Sequence, residues 1–494
     1  MRRAFSGFAN LLPRRDLIIL GVATLIAGMI YLLACQLVFR IGFPLDDTWI
    51  HLTFARNLAQ HGEWSFRVGI PSAGSTSPLW SALLAIGFLI NLEPYIWTYF
   101  LGLLTMWALG IISEVTARRL VSTYQPRLPW VGFFIIVEWH LLWAAMSGME
   151  TLLHGLIATT ILAALMMNSR RYLTLGLLTG VSVWVRPDGL TLLGPLVLAV
   201  LLFEKDLPAR LRGLVQIFIG FGSIFFFYLL FNLLIGDTPM PNTFYAKQAE
   251  YAEWQRFPIS YRLSELLLQL LVGPSFLLVP GIIMWTVKSI RSRSWGSLLA
   301  LTWSVGYMLL YLMRLPVYQH GRYIMPAMPV FFLIGILAVV EFSSAKTFGR
   351  YQWLATTSWN MSLVMVTLLF VVLGARAFAR DVAFIEQEMV ATAHWVSANL
   401  PPDAVLAVHD IGALGYFDDH VLIDLAGLIT PEVIPFIRDE DRLTIYLNES
   451  GADYLVAFSD LYPAMIVGRE VLFETNGALA SEMGDVRLTV YRWK

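Results

Sequence analysis

The segment Leu17–Val38 runs for 22 residues without a charge. That is the length a helix needs to cross roughly 30 Å of hydrocarbon, and too long for the apolar core of a signal peptide. It reads as an uncleaved first span, entered from the side of Arg2, Arg3, Arg14 and Arg15. Further apolar runs follow along the chain, and overall 57% of the 494 residues are hydrophobic and 14% charged, against about 25% charged in an ordinary soluble domain. The sequence therefore describes a polytopic membrane protein.

Charge is distributed unevenly, although the net value is only -1. Residues 377–494 hold 7 of the 34 Lys+Arg and 19 of the 35 Asp+Glu, which leaves 27 basic and 16 acidic residues in the first 376. Basic residues in short loops orient a membrane protein, whereas the acidic tail has the composition of a water-soluble domain. Cys35 is the only cysteine, so no intrachain disulfide and no cysteine-based metal site can form.

The run Leu79–Ile90 falls short of the roughly 20 residues needed to cross and is expected to lie along the interface as a juxtamembrane helix. With that segment not crossing, Tyr95–Ala117 delivers Arg118, Arg119 and Arg127 to the cytoplasm. The spans Pro129–Met146, Leu152–Met167, Leu173–Val185, Leu190–Phe203, Gly213–Ile235, Leu266–Val287, Ser297–Leu312, Ile324–Val340 and Trp353–Leu373 then place most loop arginines and lysines, including Lys346 and Arg350, on the same side. This gives 11 spans, a cytoplasmic N-terminus and an extracytoplasmic C-terminus. Beyond them, a helix over Ile385–Leu400 and β-rich runs at Val405–Val408, Val421–Leu425, Tyr454–Phe458 and Val486–Tyr491 predict a small α/β domain. The expected organisation is a helical membrane part, 1–376, with a first outer loop over 40–94, and an α/β domain, 377–494.

In this topology the polar clusters gather on the outer face: Asp46/Asp47, Glu150, Arg186/Asp188, the Asp237–Lys247 stretch and His320/Arg322. Each has a plain structural reading. Asp46 and Asp47 can cap the helix beginning at Thr48, and Glu150 can sit in the first turn of the next helix. Arg186 and Asp188 can form an ion pair, and Arg322 can anchor at the interface. Glu138 and His140 differ because they lie within a span, where ionisable groups face a cavity or a partner. Asp47 and His51 share a helical face, which leaves open a divalent metal, Mg or Mn, held there with His320 in reach.

The ordered set of motifs resembles the GT-C glycosyltransferases. The carrying residues are Asp46-Asp47 with Ile50, Ala55 to Ala59, Thr76 to Trp80, Ser147 to Thr151, Arg186 to Gly189, Pro241 to Lys247 and His320 to Tyr323. In the tail, His409 to Phe417 and Ile423 to Leu428 add to it. The pattern is most similar to bacterial enzymes that use polyprenyl-phosphate sugars, of the kind represented by the mycobacterial terminal β-1,2-arabinofuranosyltransferase.

That resemblance implies transfer of a sugar, with inversion, from a polyprenyl-phosphate donor to a glycan, lipid or protein hydroxyl outside the cytoplasmic membrane. The partners are then the bilayer, the lipid-linked sugar and the acceptor, and not nucleic acid. One of Asp46 and Asp47 would take the acceptor proton, with mutual repulsion raising one pKa. Arg186, Lys247, Arg322 and His320 would hold the donor phosphate. Arg56, Glu150, Asp188, Asn242 and Tyr245 would contact substrate. A transporter or lipid flippase is the alternative for so many spans, although such proteins tend to show inverted repeats and a mid-membrane site.

Overall fold

In the computed structural model the described residues are 12–344, 349–477 and 487–494. Arg2, Arg3, Lys346 and Val486, named above, lie outside them. The first long helix, Arg14–Val38, begins directly after Pro13. Leu20, Ala27, Tyr31 and Cys35 are buried, while Ile18, Leu25, Met29, Leu33 and Leu37 are exposed. A helix apolar on both its packed and its outward side is one that meets lipid.

Among the described residues six helices are long and apolar enough to cross a bilayer: Arg14–Val38, Pro94–Leu120, Leu207–Gly236, Trp295–Arg314, Gln319–Ser344 and Tyr351–Asn399. The pair Ile259–Leu271 and Ser275–Ser292, bent by 99°, makes a seventh when it is counted as one broken span. The bend replaces the straight Leu266–Val287 expected from sequence. Gly273 takes φ 89, and Pro274 both lacks an N–H and pushes its predecessor out of the helical region.

The remaining four of the 11 expected crossings fall on shorter elements. Thr151–Met166, Tyr172–Val185 and Pro187–Phe203 are separate apolar helices. Pro129–Met146 is split at Glu138, whose extended backbone (φ -67, ψ 123) separates Trp130–Val137 from Trp139–Met146. Glu138 caps the second piece by accepting from the N–H of Leu141, and its other oxygen lies 2.8 Å from Nδ1 of His140. The intramembrane pair is thus a capped helix break. The helix Pro78–Leu89 has 12 residues, about 18 Å at 1.5 Å per residue, which suits a juxtamembrane element.

A small antiparallel hairpin, β1 (Ser65–Arg67) with β2 (Ile70–Pro71), follows the helix Asp47–His61. Beyond the membrane part lies a five-stranded mixed sheet of β3 (Val405–Val408), β4 (Val421–Asp424), β5 (Tyr454–Phe458), β6 (Val471–Glu474) and β7 (Leu488–Arg492), in the order β4-β3-β5-β7-β6. β3 pairs parallel with β4 and β5, and β7 pairs antiparallel with β5 and β6.

Alternation along the strands divides the sheet's two faces. Ala407, Leu455, Ala457 and Tyr491 pack with Leu443 and Leu447 in the domain's own core. Leu406, Val408, Val456 and Val490 join the core of the helical part. The long helix through Asn399 also runs across the expected 376/377 boundary, so the sheet is seated on the membrane part by a shared core and a shared helix.

Candidate active site

The motif stretches meet where the helix Asp47–His61 begins. Thr48 donates its hydroxyl to the carbonyl of Ser147 at 2.8 Å, and the indole N–H of Trp80 donates to the carbonyl of Gly148 at 2.8 Å. Gly148 sits at φ 78 with its α-carbon against Thr48, where a Cβ would overlap the threonine methyl. Glycine is therefore required by both conformation and space.

Asp46 and Asp47 diverge from this point. Asp46 turns into the C-terminal domain, where its carboxylate accepts from the backbone N–H groups of Gly412 (2.6 Å) and Ala413 (2.8 Å). Its pKa is pushed up to about 7, first by burial and then by the charge of Asp410, against the pull of the two N–H groups; Asp47 contributes last. The expected rise is there, with burial and not the neighbouring aspartate as its main cause.

Asp47 faces a different environment. Nη1 of Arg322 lies 2.8 Å from its Oδ2. Burial works against its charge, but Arg322, Lys247 and His51 together hold the carboxyl below the usual range. Asp47 is thus ionised at neutral pH. It lines two chambers, of about 330 and 310 Å³, whose shared wall also includes Lys247, Arg322 and Leu428.

The larger chamber is bounded by Glu150, Arg186 and Asp188 on one side and by Lys247, Arg314 and Phe244 on another. Arg186 is fully engaged there: Nη1 meets Glu150 at 2.8 Å, Nε meets Asp188 at 3.0 Å and Nη2 donates to the Tyr311 hydroxyl at 3.2 Å. Tyr307 and Tyr311 both donate to Asp188. Burial penalises Glu150, yet the hydrogen bond from His51 and the charge of Arg186 hold it well below the carboxylate range. This buried network joins the helices Asp47–His61, Thr151–Met166, Tyr172–Val185 and Trp295–Arg314 and leaves Lys247 and Arg314 as the chamber's cations without a carboxylate partner among the described residues. Tyr307 and Tyr311, one helical turn apart, are members that the sequence reading missed; their spacing on one face of a span was the available signal.

The Pro241–Lys247 stretch forms the helix Asn242–Glu250 and is laid across the site as a strap. The N–H of Asn242 donates to the carbonyl of Ala73 (3.0 Å), its side chain donates to the carbonyl of Leu428 (2.9 Å), and Thr76 donates to the Thr243 hydroxyl (3.1 Å). Asn242 is therefore an anchor for the strap. Tyr245 packs against Phe244 at 5.3 Å and lines neither chamber.

Leu428 is itself positioned by Asp424, whose carboxylate accepts from the N–H groups of Ala426 (2.8 Å), Leu428 (2.5 Å) and Ile429 (2.8 Å). Glu250, at the strap's end, lies 3.5 Å from Nε2 of His409, which also meets the Tyr462 hydroxyl at 2.8 Å.

Two further expected contacts lie outside the chambers. His320 places Nε2 2.8 Å from Oδ2 of Asp381, the oxygen that also accepts from Trp143 at 2.8 Å. Arg56 donates to the carbonyl of Tyr416 at 2.7 Å and stacks on its ring. Both are braces between the membrane part and the segment after 376. A divalent ion at Asp47 and His51 does not fit: His51 is committed to Ser81 (3.0 Å) through Nδ1 and to Glu150 (3.3 Å) through Nε2, and Asp47 to Arg322. Among the described residues no group of three or more His, Cys, Asp or Glu side chains is arranged to hold a metal.

Residues 380–491 match a family described as a domain of unknown function (DUF8728). No curated protein matches the chain. Among solved structures, ArnT from Cupriavidus metallidurans bound to undecaprenyl phosphate aligns over 97% of this chain and 98% of its own at 16% identity, with TM-score 0.57. The fold is GT-C.

A second GT-C neighbour is the oligosaccharyltransferase AglB from Archaeoglobus fulgidus, in complex with an inhibitory peptide and a dolichol-phosphate. It aligns over 89% of this chain and 69% of its own at 11% identity, with TM-score 0.56. Arabinofuranosyltransferase AftD from Mycobacteria aligns over 97% of this chain and 40% of its own at 16% identity, with TM-score 0.49.

Proposed function

We propose that this GT-C chain transfers a sugar from a polyprenyl phosphate to an acceptor hydroxyl, outside the cytoplasmic membrane of a bacterial-type cell. The observation that carries this reading is Asp47, ionised and paired with Arg322, on the wall common to two chambers. The bound undecaprenyl phosphate of ArnT and dolichol-phosphate of AglB support a lipid phosphate as the donor carrier. In this reading the larger chamber takes the donor, with Lys247, Arg314 and Arg322 facing its phosphate and apolar side chains such as Leu310 and Phe244 along its wall.

The acceptor oxygen attacks the anomeric carbon as the bond from that carbon to the phosphate oxygen breaks. The acceptor proton passes to Asp47, and the polyprenyl phosphate leaves with its growing charge met by cations already in position. A single displacement of this kind inverts the anomeric centre. The low pKa of Asp47 makes it a weak base at rest. Its work is then to orient the hydroxyl while ionised and to receive the proton late, as C–O bond formation makes that proton acidic.

The 11-span topology, with a cytoplasmic N-terminus and the α/β domain outside, belongs to the same proposal, because it puts both chambers on the outer face. The test is transfer of radiolabelled sugar from a panel of polyprenyl-phosphate donors in membranes carrying wild type, Asp47→Asn or Asp46→Asn. Transfer by wild type that disappears in Asp47→Asn supports the reading. Full transfer by Asp47→Asn would end it.

A further inference from the structure

The two chambers differ in charge. The larger is lined by four Lys or Arg side chains and three acids, whereas the smaller is lined by five acids, Asp46, Asp47, Glu250, Asp381 and Asp410, and only two Lys or Arg side chains, Lys247 and Arg322. Four of those five acids are engaged: Asp46 by Gly412 and Ala413, Asp47 by Arg322, Glu250 by His409, and Asp381 by Trp143 and His320. Asp410 makes no hydrogen bond or ion pair with a described residue. It lies two residues beyond the end of β3 and reaches the chamber from the C-terminal domain, beside His409.

Tyr251 and Tyr318 line the same chamber, with ring centroids 5.9 Å apart. Arg322 lines it as well, and its Nε is buried without a hydrogen-bond partner. A half-open chamber with a spare carboxylate, an unused N–H and two tyrosine rings matches a polyhydroxyl ligand: hydroxyls donate to the carboxylate and accept from the guanidinium, and ring CH groups pack on the aromatic faces.

We propose that the smaller chamber is the acceptor site, that Asp410 holds an acceptor hydroxyl in it, and that its acid-rich wall selects uncharged saccharides over phosphorylated ones. This rests on the glycosyl-transfer reading above and adds to it the acceptor class and a residue from the C-terminal domain. Burial raises the Asp410 carboxyl, His409 pulls it back, and Glu250 and Asp47 add to the rise, so the group is sensitive to any further negative charge brought beside it. An anionic acceptor would add such a charge between Asp410 and Asp47. A neutral saccharide would instead supply the hydrogen bonds that Asp410 lacks.

The experiment is equilibrium binding of neutral alkyl oligosaccharides, and of the same compounds carrying a phosphate monoester, to the full chain in nanodiscs. Wild type is expected to bind members of the neutral series at least tenfold more tightly than their phosphorylated counterparts. Asp410→Asn and Asp410→Ala are expected to weaken neutral binding fivefold or more and to narrow the discrimination, with unaltered thermal unfolding as the check on folding. Equal or tighter binding of the phosphorylated series, no neutral member bound by wild type, or wild-type affinity in both variants would each overturn the proposal. Binding of polyprenyl phosphate, measured on the same samples, separates the two readings: its absence beside saccharide binding would remove the donor assignment and leave the acceptor chamber standing.

Discussion

Nη1 of Arg322 and Oδ2 of Asp47 lie 2.8 Å apart on the wall between the two chambers. One member can take a proton and the other can hold a phosphate oxygen, so the pair stands where bond exchange must occur in the proposed reaction. Removing the carboxylate should affect chemistry far more than folding. Asp47→Asn is expected to lower kcat by about 10² to 10⁴ while thermal unfolding in detergent stays within a few degrees of wild type. Arg322→Lys keeps the charge and loses the fork, so its deficit should be smaller and weighted towards donor KM. Steady-state kinetics over a donor series check both.

Asp46 should behave in the opposite way. Its carboxylate receives the first two N–H groups of the helix Gly412–Phe417, and Gly412 approaches so closely that a Cβ would overlap the carbonyl oxygen of Asp46. Asp46→Ala strands two donors at an interface, at about 1–3 kcal/mol for each buried group left unpaired. The expected result is faster proteolysis between the membrane part and the β-sheet domain and a lower unfolding temperature. Gly412→Ala should reproduce that phenotype with Asp46 intact, which identifies the seat of the domain as the cause.

The membrane character, the shared face of the motif loops and four of the five strands of the larger sheet, the Val486–Tyr491 run overlapping β7 from Leu488 on, were legible in the sequence, because each rests on local pattern. Apolar runs give spans, and Val405–Val408, Val421–Asp424 and Tyr454–Phe458 are β-branched or aromatic between turn residues. β6 was missed because Val471–Glu474 is a half-exposed edge strand with little alternation of burial. The break at Glu138 was hidden by unbroken hydrophobicity on both sides. The division of labour at the site was hidden for a different reason. Asp46 and Asp47 look alike in sequence, and only the arrival of Gly412, 366 residues later, turns one into a cap and leaves the other in the chamber. His320 likewise loses its expected role to Asp381 across 61 residues.

The Glu150–Arg186 pair, 2.8 Å apart and nearly sequestered from solvent, joins the start of the helix Thr151–Met166 to the end of Tyr172–Val185. Removing one partner of a buried pair leaves an uncompensated charge, at about 3–5 kcal/mol. Glu150→Ala and Arg186→Ala should each sharply lower thermal stability. The double variant should lose much less than the sum of the two. Strictly additive losses in the cycle would assign the cost to packing and not to the charges.

The strap that carries Lys247 is held at its end by His409 and Glu250, and this contact should be pH-dependent with a defined sign. Burial opposes the charge on His409, but Tyr462, Glu250 and Asp410 raise its pKa well above 6.5. Its contribution is therefore complete below 6.5 and is lost as pH rises through the higher folded value. Burial also opposes the charge on Glu250, yet His409, Arg438 and Lys247 hold its pKa below 4.5. Its contribution is complete above 4.5 and is lost as pH falls through the lower folded value. The strap should accordingly be most firmly seated between about pH 4.5 and 6.5 and loosen on either side. Limited proteolysis of the full chain in nanodiscs, read at cleavage sites within Gly236–Glu265 and normalised to a control peptide at each pH, should be slowest in that window. His409→Gln should remove the alkaline limb and leave the acid limb less steep, because Glu250 then has only Arg438 and the more distant Lys247 to lower its pKa. A cleavage rate that does not vary with pH in wild type would mean that the strap is held by Asn242 and Thr243 alone.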